Sequence, residues 1–132
     1  FEGVEDEPDI EAALLRLGRR IPRLTTQPRI IKAQRVVIGV SERMPELAAS
    51  FYAAGPKCTA LRLAALLEAH AAAGTLAMDN AFLAAVQFLD LCQCTIFRSR
   101  LFGYAADAPS DAEIETVVRS AVRMFIAAYR TR

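Results

Sequence analysis

Two stretches near the end of the chain, residues 79–102 and 110–129, carry apolar side chains at helical spacing on more than one face. A helix that is apolar all round must be covered all round. The first holds Phe82, Leu83, Val86, Phe88, Leu89, Leu91, Cys92, Ile96 and Phe97, with a narrow polar stripe of Gln87, Asp90 and Gln93. The second has Ile114, Val118, Ala121, Phe125 and Ala128 on one side and Val122, Ile126 and Tyr129 on another. A chain of 132 residues has room for one core, and two such helices cannot both occupy its centre. Either the pair buries its outer face in another subunit, or one of the two is simply the central core helix.

The rest of the chain keeps the helical period, without an alternating strand pattern or a hairpin signal. Proline and glycine punctuate it at Pro8, Pro28, Pro45, Gly55-Pro56, Gly74 and the loop from Gly103 to Ser110. The spacing predicts helices over about Asp9–Leu24, Arg29–Arg43, Pro45–Gly55, Pro56–Ala73 and Asp79–Phe102, with a sixth from Ser110. Gly55 reads as a helix-ending C′ glycine, Asp79 and Asn80 as N-caps, and Ser110-Asp-Ala-Glu113 as a capping box. The fold class expected is all-α, a bundle of about six helices without a sheet. Residues 1–8 form an acidic lead-in to one domain at 9–132.

Composition excludes several classes. A hydrophobic fraction of 54% and a mean hydropathy of +0.24 are too apolar for disorder. No run reaches the roughly 18 apolar residues of a membrane span, and the first residues show no secretory signal. A net charge of +1 gives no global pull on nucleic acid. Cys92 and Cys94 stand two apart on a predicted helix, so their side chains diverge by about 200°. That suits neither a disulfide nor a shared metal, and a reducing cytoplasm is the economical reading.

Catalytic signatures are lacking, and neither an enzyme, a metal nor a cofactor is expected. The lone His70 lies among Leu63, Leu66 and Leu67 and reads as a core residue. Asp111, Glu113 and Glu115 sit in or beside a first helical turn, where the dipole favours them. Between Arg16 and Arg43 eight basic residues face a single acid, Glu42. They read as solvated outer faces, or as a surface for an anionic partner or a neighbouring domain. No aromatic residue interleaves with these arginines as a base-stacking surface would need.

Polar groups inside apolar stretches point to a pocket. Val37, Val40, Phe51, Tyr52, Phe88, Cys92 and Thr95 are the candidate lining, with Phe88 and Cys92 equally readable as ordinary core.

The segment Arg43-Met-Pro-Glu-Leu-Ala-Ala-Ser-Phe-Tyr-Ala-Ala-Gly-Pro56 resembles the C-terminal domain of TetR-family bacterial transcriptional regulators, in particular the AefR-like branch. Gly74-Thr75-Leu76, then Asp79, then Ala84-Ala85-Val86-Gln87-Phe88-Leu89 agrees with it, as does Ala121-Val122-Arg123-Met124-Phe125-Ile126-Ala127-Ala128-Tyr129. Family members begin with a helix-turn-helix domain that reads operator DNA, and nothing in this chain corresponds to it. The resemblance implies a homodimer through the last two long helices, expected to use Val122, Ile126 and Tyr129. It also implies a cavity for a small-molecule effector, here a largely apolar one, whose binding releases a repressor from DNA. Operator contact belongs to the missing N-terminal domain, and this chain alone is expected not to bind an operator. The rival reading is a helical adaptor that binds a different protein through its apolar faces.

Overall fold

A computed structural model describes residues 1–132. It contains helices α1 (Ile10–Thr25), α2 (Pro28–Val40), α3 (Pro45–Tyr52), α4 (Cys58–Ala72), α5 (Ala81–Leu91), α6 (Phe97–Leu101) and α7 (Asp111–Tyr129), with a π-helical turn at Ala53–Lys57. There is no strand. A single antiparallel bridge between Leu76 and Arg130 fastens the end of α7 to the α4–α5 loop.

Caps fix the helix starts. The Asp9 carboxylate accepts from Glu11 N, Asn80 Oδ1 from Leu83 N, and Ser110 Oγ from Glu113 N. Each satisfies an orphan first-turn amide. Gly74, at φ +88°, ends α4 in the left-handed region. Gly55 does not end a helix as expected. Pro56 has no amide hydrogen to continue the α ladder, and the π turn absorbs that defect, so the chain runs on from α3 into α4.

The core is built from four helices. Leu14 and Leu17 of α1, Leu63 and Leu67 of α4, Phe88 of α5, and Ile114, Val118 and Phe125 of α7 are all buried. Each such side chain contributes about 1.5–3 kcal/mol by leaving water. Phe88 meets Phe125 edge-on, centroids 5.6 Å apart. At Gly18, α1 and α7 approach so closely that a Cβ there would lie 2.7 Å from Val118 Cγ1.

One expectation about organisation needs correction. The predicted fifth helix is broken: α5 stops at Leu91 and α6 starts at Phe97, with Thr95 between them at φ +66°. The acidic lead-in docks on the helices. Val4 is 0% exposed and belongs to the core, while Arg20 donates to Glu2 O at 2.6 Å and Arg16 to Gly3 O at 3.1 Å. On α4, Arg62 pairs with Glu5 and lies 4.4 Å over the Phe1 ring.

Candidate functional site

The basic residues of α1 mostly turn inward onto the chain itself, an answer that neither sequence reading contained. Arg19 clamps Glu115 of α7, Arg23 pairs with Asp111, and Arg16 pairs with Glu7. Hydrogen bonds from Arg19 hold the Glu115 carboxyl down at about 2, and the same bonds raise the Arg19 guanidinium. Arg29, Lys32 and Arg43 remain on the exposed surface.

On α2, Arg35 is exposed, and its guanidinium is bonded to the chain itself. Its Nε donates to Leu101 O and its Nη2 to Arg100 O, both at 2.9 Å, which satisfies carbonyls at the end of α6. The buried Arg100 side chain then donates to Ile96 O, to Asp107 O and to Glu113 Oε1 of α7. Two guanidinium groups thus fix the corner where α2, α6 and α7 meet.

The seven residues expected to line one pocket fall in three places. Phe88 and Cys92 face α1 and α7 in the core, where a Cβ on Gly18 would touch both. Burial pushes the Cys92 thiol up, far from thiolate chemistry. Thr95 is exposed in a groove of about 280 Å³ on the α5–α7 side, with Leu91, Cys94, Val117, Ser120 and Met124. Val37, Val40 and Phe51 are half-buried on α2 and α3, and Tyr52 points to solvent. The break after Leu91 parts Thr95 from Phe88 and Cys92, because the left-handed Thr95 ends the single helix face that the spacing assumed.

The α7 face assignment shifts too. Val122 is 2% exposed and packs in the chain's own core, so it does not lie on an outer face. The reason is the width of the buried arc: α1 and α5 both pack on α7, and together they cover it. Ile126 and Tyr129 are half-buried at its edge, and the Tyr129 hydroxyl donates to Gln87 Oε1 at 2.8 Å. The outward apolar side holds Val117, Ser120 and Met124 at i, i+3 and i+7, with Met124 54% exposed. Across the groove, Leu83, Gln87 and Leu91 follow at i, i+4 and i+8 on α5.

The α2–α3 flank is thinly covered. Ile31 is the one buried residue of α2, and α3 has none. Ile30, Ala33, Gln34, Val37, Val40 and Phe51 are all half-buried. At the end of α5, Gln93 Oε1 is buried and has no hydrogen-bond donor from the protein. No group of three His, Cys, Asp or Glu side chains is placed to hold a metal, and no helix is long and apolar enough to cross a membrane.

The fold matches a Mesorhizobium loti MAFF303099 protein assigned to the TetR family of transcriptional regulators, with a TM-score of 0.88 at 22% identity over 97% of this chain. It also matches the flavonoid-responsive regulator FrrA, with a TM-score of 0.81 at 31% identity over 92% of this chain. A TetR-family regulator from Pseudomonas syringae pv. tomato str. DC3000 has a TM-score of 0.75 at 25% identity over 94%. The chain spans 63%, 61% and 62% of those three structures, respectively. No curated protein matches it. The family model for the C-terminal domain of AefR-like transcriptional repressors matches residues 12–131. The chain therefore belongs to the TetR-type transcriptional regulators, as a C-terminal regulatory domain of the AefR-like kind.

Proposed function

We propose that this domain binds a small, largely apolar effector and forms a homodimer, within a regulator whose DNA-reading domain lies outside this chain. The observation that carries the dimer is the apolar groove of Leu91, Val117 and Met124 on helices whose other sides already pack the core. An exposed apolar strip on otherwise core-forming helices is what a second copy covers. The effector reading is supported by α2 and α3, whose body-facing side chains are only half-covered. Helical bundles bind small molecules between such loosely packed helices. Binding there would act on the Arg35 link to α6, and through Arg100 on the start of α7. That gives an effector a route from its site to the dimer face.

FrrA is a flavonoid-responsive regulator, so flavonoid aglycones are the first compounds to try. A ligand at a hundred times its Kd stabilises the native state by about 2.7 kcal/mol, which is several degrees of Tm at this size. Thermal melts against a panel of flavonoid aglycones and other planar apolar compounds test the reading. A saturable rise supports it, and a flat response across the panel contradicts it.

A further inference from the structure

We propose that the second copy lies with its α5 against α7 of the first, and that two symmetric ion pairs, Asp90 of each copy with Arg123 of the other, hold that arrangement. The proposal rests on the dimer reading above and names the charges that orient it.

Charge on these two helices is sparse and nearly all paired within the chain. Asp90 is the one ionisable acid or base of α5. On α7, Asp111 pairs with Arg23, Glu113 with Arg100, and Glu115 with both Arg19 and Arg119. Arg123 is the one charged side chain of α7 without an ion-pair partner. The outer side of the helix pair therefore carries one free acid and one free base, both exposed.

Their placement follows from the helical period and the contacts around them. Asp90 repeats Leu83 at i+7 and stands beside Gln87 at i+3, on the exposed side of α5. Gln87 reaches Tyr129 of α7 and Leu91 lines the groove, so Asp90 lies on the flank of α5 away from α7. Across α7 the groove runs from buried Ala121 through Val117 and Met124 to Ser120 and Thr116. Arg123 repeats Thr116 at i+7 and so marks the far rim. The two helices run antiparallel: Gln87 meets Tyr129, Phe88 meets Phe125, and Cys92 and Val118 converge on Gly18. Asp90 and Arg123 thus stand at one height, on opposite flanks of one apolar face.

A face that carries its own counter-charge at its own height is complementary to itself. Two copies of it, with helices aligned, meet about a two-fold axis in one of two ways. With the axis along the helices, α5 of each copy covers α7 of the other and heights are kept, so Asp90 arrives at the partner's Arg123. With the axis across the helices, α5 covers α5, and acidic flank meets acidic flank. Opposite charges at a rim select register and partner, and like charges exclude the alternative. Covering Leu83 also takes the neighbouring Asp90 carboxylate out of water, which is unfavourable without a cation beside it.

Asp90→Arg and Arg123→Asp test the arrangement. Both side chains are exposed and unpaired, so both variants should keep their fold by circular dichroism. Each alone gives a copy whose two flanks carry the same sign, and its homodimer should weaken about a hundredfold by sedimentation equilibrium. Mixing the two single variants should form a heterodimer, and the double variant should recover a homodimer to within about tenfold of the unsubstituted one. Single variants that dimerise as tightly as the unsubstituted chain, or a mixture and a double variant that stay monomeric, overturn the proposal and leave the dimer reading standing. An unsubstituted chain that is itself monomeric, the result of a face reserved for a different protein, removes the dimer reading and the proposal with it.

Discussion

The Arg19 guanidinium meets the Glu115 carboxylate as a fork, with Nε donating to Oε2 and Nη2 to Oε1, each at 2.8 Å. Arg119 reaches the same carboxylate from one turn along α7, at 2.6 Å. These bonds tie α1 to α7 and depress Glu115 from its ordinary 4.5 to about 2. A depressed carboxyl stabilises the folded state above its unfolded value, and that contribution is lost as pH falls from about 4.5 towards 2. Glu115→Gln should therefore melt below the unsubstituted chain at pH 6, with the gap closing as the pH is lowered through this window. A gap that stays constant from pH 6 to pH 2.5 would contradict the assignment.

At Gly18, where α1 packs on α7, two effects of opposite sign compete. Alanine at Gly18 gains about 1 kcal/mol of helix propensity. Its Cβ would meet Val118 Cγ1 at 2.7 Å and Cys92 Sγ at 3.1 Å. Valine is stiff at χ1, and overpacking of this kind costs about 1–3 kcal/mol, so the clash wins. Gly18→Ala should lower the Tm. Gly39→Ala, with nothing within 4 Å of its Cβ, should raise it. Chemical denaturation of both variants measures the pair, and a stabilising Gly18→Ala would refute the close packing of α1 on α7.

The three thiols should differ in reactivity. Cys58 and Cys94 are exposed, whereas Cys92 is fully buried and its thiol is pushed up by burial. Ellman's reagent on the native protein should titrate Cys58 promptly and Cys92 only in denaturant, while Cys94, which lines the α5–α7 groove, should react promptly only where the dimer is broken, as in Met124→Glu. Prompt reaction of all three would show that Cys92 faces an open cavity rather than the core.

Much of the fold was legible because its punctuation is chemical. Pro45, Gly74, Asn80 and Ser110 mark boundaries through a missing amide hydrogen, a positive φ and side-chain caps, and the helices start or stop beside them. The break between α5 and α6 was not legible. Apolar residues continue through Cys92 and Ile96, and Thr95 takes a left-handed conformation that its sequence does not announce. The same break separated Thr95 from Phe88 and Cys92 and dissolved the single pocket wall. Val4 was hidden by its charged neighbours, and only the arginines of α1 and α4 reveal why that segment docks. On α7 the helical wheel showed a wide apolar arc. It could not say how much of that arc α1 and α5 would share, which is why Val122 lies inside and Met124 outside.

Sedimentation equilibrium of the chain beside Met124→Glu tests the central claim, dimerisation through the outer α5–α7 face. The unsubstituted chain should sediment at twice its 14.4 kDa mass. Met124 is 54% exposed, so a charge there should leave the fold intact by circular dichroism. Within an apolar interface an unpaired charge costs several kcal/mol, so Met124→Glu should run as a folded monomer. An unsubstituted chain that remains monomeric at tens of micromolar, or a Met124→Glu variant that remains a dimer, would contradict the account.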